Sequence, residues 1–572
     1  MVASAEIADE PAQTAQQAVP EGREKQAFPT LSDDQVERAK EFGRIEEKKR
    51  HELVFERGEQ SVDMFIVIDG CIEIFDYDCS GEPNVFTTHN KHQFTGELDL
   101  YSDRKILVSG RLGEDGTVLR IPRENFRDLL AAEPDIGDIV MRAFIIRRIG
   151  LIESSLGGAL MIGGRNKADT LRLERFLRRN GYPLRIVYTD EDEAGPAMEH
   201  FGVGRDDVPV LVCDADVVLK NPSNREAARC VGLTEWPDDG VTYDVAVVGA
   251  GPGGLAAAVY AASEGLRTVI LEGEAPGGQA SWSSKIENYL GFPNGLSGQE
   301  LAGRAQIQAQ KFGAKLALPM QVDSIACNSE GGCSPYRLNV ADANEQVVAH
   351  TVVIATGARY RTLDLDNFSQ FEGAGIYYAA TQMEASLCDD REVIVVGGGN
   401  SAGQAAVFLS KCAKHVHMLV RGDSLASSMS SYLIERIDAS DEITLHTHTE
   451  ITGLHGDDQL EGVTWTNNET EESKRCEVGH VFLMIGAVPN ADWCNGSLLT
   501  DSNGFLCTGL AVVEAGKWDH DDRSPGTFET SWPGVFAVGD VRAGSVKRVA
   551  SAVGEGSVCV QAIHAVLDEI KR

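Results

Sequence analysis

The sequence predicts a multidomain α/β protein, and three observations carry that expectation. The chain has 572 residues, so at roughly 150 residues per domain about four domains are expected. Its composition, 42% hydrophobic and 24% charged with 59 glycines and 19 prolines, is that of globular α/β protein rather than of a disordered or fibrous chain. Two glycine-rich turns recur at 243–263 and 392–410, each set between an apolar strand and a helix, the order of a βαβ unit.

Residues 1–30, rich in Ala, Gln, Glu and Pro, bury too little apolar surface to offset ordering entropy and are expected as a disordered tail. From 31 to 155 a short helical opening precedes strand-like alternation in LVFERGEQ, MFIVIDGCIEIFDY, FTTHNKHQF, ILVSGRL and TVLRIP, and helical periodicity follows in ENFRDLLAAEPDIGDIVMRAFIIRRIG. A β-roll flanked by helices accounts for this pattern. From 156 to 235 the order is strand GALMIGG, helix ADTLRLERFLRRNG, strand LRIVYTD, helix AGPAMEHFG, strands VPVLVCD and DVVLKNP, and a last helix. Such alternation predicts a compact α/β unit, closed by the linker EWPDDGV.

The formal charge of −35 repels phosphate backbones and anionic lipids, so neither nucleic acid nor a membrane is an expected partner. No uncharged apolar run reaches the length of a membrane span. The first residues lack a basic start and an apolar core, so no signal peptide is expected and the location is expected to be cytoplasmic. The twelve cysteines are widely scattered with no CxxC, which suggests neither a disulfide framework nor a metal site.

In YDVAVVGAGPGGLAAAVYAASEGLRTVILEGE, Gly249, Gly251 and Gly254 form GxGxxG after a strand and at the head of a helix. Gly249 permits the turn, Gly251 lets the backbone approach a pyrophosphate, and Gly254 allows close helix packing; the helix N-terminus offers N–H groups to the anion. Glu272 closes the next strand, where a carboxylate accepts from both hydroxyls of a ribose. REVIVVGGGNSAGQAAVFLSKCAKHVHMLVRGD repeats the arrangement with Gly397, Gly399 and Ala402, but its second strand ends in Arg421. A cation in place of an acid there favours NADPH over NADH. Two Rossmann-like nucleotide-binding subdomains are thus expected.

Residues 241–572 resemble a thioredoxin-reductase-type flavoprotein through seven ordered motifs: GAGPGGLAAA, GGQ at 277–279, IENYLGFP at 286–293, IATGA at 354–358, GGGNSA at 397–402, IGAVPN at 485–490 and PGVFAVGD at 533–540. The resemblance implies an FAD domain built from 241–364 and 487–572, an inserted NADPH domain at 365–486, and a homodimer. It places cofactor contacts at Gly253, Gly278, Thr356 and Gly357, with Asp540 near the ribityl chain and pyrophosphate, and Gln279, Asn288, Arg548 and Val549 along the flavin. Asn400, Ser401 and Gly486 fall in motifs that touch the nucleotides. The departure from the family is its redox pair: where thioredoxin reductases carry CATC, this chain reads Ala379-Ala380-Thr381-Gln382. Dithiol relay needs two thiols in turn, so that route is excluded, and the nearest cysteine, Cys388, is expected to be a buried packing residue. Of the cations thioredoxin reductases usually present to the 2′-phosphate, Arg421 alone remains.

The segment 31–155 resembles a cyclic-nucleotide-binding domain in its phosphate cassette, Gly96-Glu97-Leu98-Asp99-Leu100 followed by Arg104-Lys105. The resemblance implies that Glu97 takes the ribose 2′-OH and Arg104 the cyclic phosphate of cAMP or cGMP. The segment 156–235 resembles a thioredoxin fold with Val208-Pro209 as its cis-proline, but Gly163-Gly164-Arg165-Asn166 stands where WCxxC would be. Cys213 and Cys230 are expected to be packing residues. The expected function is an FAD-dependent NADPH oxidoreductase with an undefined electron acceptor, modulated by a cyclic nucleotide; the alternative is a non-turnover sensor of flavin state and cyclic nucleotide. No catalytic acid, base or nucleophile is required, because the cofactors carry the chemistry. The absence of a segment after VQAIHAVLDEIKR speaks against the ferredoxin-reducing relatives, which extend further.

Overall fold

A computed structural model describes residues 23–571 apart from 61, 78–82, 97–103, 155–157, 166, 214–216, 284–285, 287–288, 328–333, 342–345, 373, 379, 381–387, 389, 427, 458, 519 and 521–522. The chain divides into two units, Met1–Gly357 with Ala491–Thr500 and Leu506–Arg572, and Ala358–Asn490 with Asp501–Phe505. The second is wider than the expected 365–486 insertion because the short strands Ala358–Tyr360 and Ala487–Pro489 pair with each other.

In the first unit, two antiparallel sheets form the β-roll. One holds Arg44–Lys48, Gly116–Ile121 and Met64–Asp69, and the other Leu53–Phe55, Ser109–Leu112, Ile72–Tyr77 and Pro83–His89. Helices Arg123–Ala132 and Pro134–Ser154 close it, with Phe144 set 6.0 Å from both Phe94 and Phe126 in their shared core. Residues 24–27, counted in the expected tail, are a helical turn with Ala27 fully buried; Phe28 lies beside His89 and beneath the Arg147 guanidinium. The sequence window averaged over a polar neighbourhood and missed this local anchor.

The next segment carries a four-stranded sheet in the order Val217–Lys220, Val210–Cys213, Ala159–Gly163, Leu184–Tyr188. Helix Asn224–Cys230 starts at a capping box in which Ser223 and Glu226 satisfy each other's backbone N–H groups. The Val208-Pro209 peptide bond is cis. Cys213 and Cys230 are joined in a disulfide, which corrects the expectation of two packing thiols. The fold brings the end of one strand to the end of a helix seventeen residues on, a proximity that spacing alone does not report.

The remainder of the first unit is built on parallel strands Lys315–Ala317, Thr268–Leu271, Thr242–Val248 and Gln346–Ile354, to which Val535–Ala537 adds in parallel. Their residues are almost wholly buried, as both faces of a parallel sheet require. Helix Val549–Ile570 is long and apolar enough to cross a membrane by length and composition. In this structure its Cys559, Val560 and Ile563 are packed in one core cluster with Leu255 and Val259 of helix Pro252–Ser263.

The second unit has a parallel sheet in the order Ile376–Tyr377, Val481–Leu483, Glu392–Val396, His415–Leu419, Ile443–His446, and an antiparallel three-stranded sheet over Thr449–His455, Gly462–Asn467 and Ser473–Cys476.

Candidate dinucleotide sites

At the carboxyl ends of the first unit's parallel strands, three turns converge. Gly249 has φ +100°, and a Cβ there would stand 2.6 Å from the Ala355 carbonyl oxygen; at Gly254 it would stand 2.0 Å from the Gly249 oxygen. The protein itself therefore demands those two glycines. Gly251, the N-cap of helix Pro252–Ser263, is different: nothing lies closer than 3.9 Å to its would-be Cβ. Its smallness leaves room beside the free N–H groups of the helix terminus, which fits a pyrophosphate.

The second turn is tied to the first. Gly277 donates its N–H to the Ala250 carbonyl, and a Cβ on Gly278 would lie 3.2 Å from Gly251 Cα. Gln279 follows in the 3-10 helix Gly278–Trp282. Glu272 accepts from the Ala250 N–H at 2.7 Å and the Glu274 N–H at 2.9 Å. Burial pushes its carboxyl up against the opposing pull of those bonds. Two N–H bonds leave carboxylate lone pairs for a ribose diol, so the residues fit the expected FAD.

Thr356 and Gly357 follow strand Gln346–Ile354, with Gly357 at φ +69° and open space around it. Asp540 lies in the turn Gly539–Val541, its carboxyl raised mainly by burial. Sequence reasoning missed Glu555, which accepts from the Gly539 N–H at 2.7 Å and pairs with Arg542; a helical glutamate far along the chain carries no local signal of that role. Arg548 is the N-cap of the helix that Val549 opens. Asn288 lies outside the described residues.

In the second unit, Gly397 has φ +138° and a would-be Cβ 2.4 Å from the Met484 oxygen, while Gly399 caps helix Asn400–Leu409 with nothing closer than 4.0 Å. Asn400 Oδ1 accepts from the Ser430 N–H, Ser401 is exposed, and Gly486 accepts from the Arg361 N–H through its carbonyl. Arg421 is exposed just beyond strand His415–Leu419 and has no hydrogen bond or ion pair among the described residues. A helix N-terminus and a cation beyond the carboxyl ends of two adjacent parallel strands, Glu392–Val396 and His415–Leu419, fit NADPH. Ala379 and Gln382 lie outside the described residues; Cys388, which follows them, is fully buried in an apolar cluster with Val393 and Phe482.

The roll encloses a cavity lined by Phe28, Phe55, Phe86, Thr87, His89 and Arg147 together with aliphatic side chains and Gly96. Arg104 is not among those lining residues. Its Nε faces Glu235 Oε1 at 3.6 Å, with both side chains more than nine-tenths buried, and Gln310 Nε2 donates to the same oxygen at 3.4 Å. Beside this expected phosphate-binding residue the structure thus places a buried carboxylate of the linker, a long-range neighbour that the local cassette motif cannot foresee. Glu97 and Leu98 lie outside the described residues.

Residues 243–556 match the family model described as pyridine nucleotide-disulphide oxidoreductase. The chain belongs to that family. Residues 45–133 match a cyclic nucleotide-binding domain. Among relatives of this oxidoreductase, a thioredoxin reductase of Mycolicibacterium smegmatis is 33% identical over 323 residues, 56% of this chain and 95% of that protein. One from Treponema pallidum (strain Nichols) is 31% identical over 329 residues, 58% of this chain and 98% of that protein. The NADPH-dependent thioredoxin reductase 3 of Arabidopsis thaliana is 32% identical over 332 residues, and this chain spans 58% of its length. The solved thioredoxin reductase of Giardia duodenalis superposes with TM-score 0.50 at 26% identity, covering 57% of this chain and 99% of that one. The oxidoreductase is thus a flavin-dependent NAD(P)H enzyme of thioredoxin-reductase type, with FAD and NADPH as the family's cofactors.

Proposed function

We propose that this oxidoreductase passes electrons from NADPH through FAD to its acceptor without a protein dithiol relay, and that a ligand held in the roll modulates it. One observation carries the first part: Ala379 and Gln382 stand at the relay positions of a chain that has no CxxC anywhere. The bound flavin supplies the hydride-accepting chemistry. The chain's own residues bind and orient. The helix terminus at Gly251 offers N–H groups to the pyrophosphate, Glu272 accepts from the ribose, and Arg421 supplies a charge for the 2′-phosphate. The buried Cys388 is packing, and the cystine Cys213–Cys230 lies outside the relay positions.

Exhaustive alkylation in mildly alkaline buffer tests this reading. Burial pushes the thiols of Cys494 and Cys559 up to about 12, so these two stay unmodified, while the half-buried Cys412 reacts. NADPH-to-dye turnover is expected to survive. Its loss in step with modification of any one cysteine, read by mass spectrometry, overturns the proposal.

A further inference from the structure

We propose that Arg179 and Asn180, which lie outside the matched oxidoreductase residues 243–556, are positioning residues of the FAD site: they hold the turn Glu274–Gly278 against the dinucleotide turn and so slow the release of FAD. The inference concerns how the cofactor is kept and does not depend on which acceptor the flavin serves.

The turn gains its shape from ties to its surroundings. Gly277 and Gly278 follow each other at φ +100° and +54°, and glycine gives up more backbone freedom on ordering than any other residue. Both ends of the turn nonetheless belong to the expected cofactor site. At one end the Glu274 N–H donates to Glu272 Oε1 at 2.9 Å. At the other, Gly278 abuts Gly251, and Gln279 is next in line.

Three consecutive residues of the 156–235 segment supply ties from outside the flavin domain, where helix Ala168–Arg179 ends. The Arg178 carbonyl accepts from Nε2 of Gln299, on helix Gly298–Lys311, at 3.2 Å. Arg179 reaches both ends of the turn at once: Nη1 donates to Glu274 Oε2 at 2.7 Å and Nη2 to the Gly278 carbonyl at 3.3 Å, which also accepts from Ser281 Oγ. Asn180 is buried, and its Nδ2 donates to the Phe176 carbonyl in its own helix at 2.8 Å and to the Glu274 carbonyl at 2.9 Å. Glu274 is thus held through its N–H by Glu272, and through its carbonyl and carboxylate by the segment.

These ties differ in strength. The Glu274 carboxylate is 68% exposed, so its ion pair with Arg179 contributes little by itself. The bonds to the two carbonyls carry the grip, because the Asn180 amide is shielded from water and the planar guanidinium fixes its acceptors in one geometry. Burial raises the Glu272 carboxyl, and the Arg179 charge is among the groups that oppose it, favouring the carboxylate that accepts from a ribose diol. A turn already held in its bound shape loses less freedom when the cofactor arrives, and the gain shows mainly as slower dissociation.

Release of FAD from the full-length, loaded protein, followed as the rise of free-flavin fluorescence on dilution, tests the proposal together with melting in the presence and absence of added FAD. The double variant Arg179→Met/Asn180→Leu is expected to release FAD at least about tenfold faster and to lose part of the rise in melting temperature that FAD confers. In Arg179→Lys the charge stays, but an ammonium lacks the fork that spans both acceptors; this milder variant, which keeps the buried Asn180, is expected to release FAD severalfold faster than the wild type. If the segment only docks on the flavin domain, the double variant melts lower by the same amount with and without FAD. That result, or release at the wild-type rate from either variant, overturns the proposal.

Discussion

Arg104 of the roll and Glu235 of the linker face each other at 3.6 Å with 9% and 4% of their side chains exposed, and Glu235 is also bonded to Leu318 through both its backbone N–H and carbonyl. The cassette arginine is thereby tied to the flavin domain's own strand end. Removing one partner of a buried pair takes away part of what offsets the burial of the other's charge. Arg104→Met and Glu235→Gln are each expected to lower the stability of the first unit. The double variant is expected to recover much of the loss, as read by a denaturant double-mutant cycle.

Arg421→Ala is expected to raise the KM for NADPH roughly tenfold, about 1.4 kcal/mol, and to leave that for NADH nearly unchanged. The arginine has no partner among the described residues to give up, so stability should not move. Anaerobic stopped-flow reduction of the flavin with the two coenzymes checks it. Equal effects on both would place the 2′-phosphate elsewhere.

The cystine Cys213–Cys230 closes a loop of seventeen residues, for which the chain-entropy account gives about 3 kcal/mol. Reduction, or Cys230→Ala, is expected to lower the melting temperature of the first unit by several degrees. Calorimetric scans with and without a reductant, on the wild type and on Cys230→Ala, measure it. The variant should be insensitive to the reductant.

In the second unit, His417 Nδ1 and His446 Nε2 are 3.1 Å apart beside Trp465. Burial, and then His417, push His446 from 6.5 down to about 4, with Lys474 and His415 adding to the effect; Glu392 faces His417. Between those values the unfolded chain binds more protons than the folded one, so stability rises with pH across that window and is lost on acidification from 6.5 toward 4. His446→Gln is expected to flatten that slope, as seen by melting the protein across the same range.

The glycine turns were legible in the sequence because their spacing is local, although what demands them is not always so: Gly254 is required by the Gly249 carbonyl five residues back, and Gly249 by the Ala355 carbonyl beyond a neighbouring strand. What stayed hidden is long-range. The partners of Arg104, Gly539 and Cys213 are Glu235, Glu555 and Cys230, each placed by tertiary packing rather than by spacing. The cavity-lining residues Thr87 and His89 read as ordinary strand alternation, because a period of two does not say which face of a strand meets a cavity.

The helix Gly298–Lys311 of the flavin domain reaches back: Ile307 packs into the cluster that contains Phe126, Phe144 and Leu130, and Gln310 binds Glu235. On the ribosome the roll emerges first, yet part of its apolar lining waits for a helix made roughly 170 residues later, a delay of roughly ten to thirty seconds at usual elongation rates. The nascent roll therefore carries an uncovered patch while those roughly 170 residues are made. It ties the final packing of the roll's core to the synthesis of the helix Gly298–Lys311.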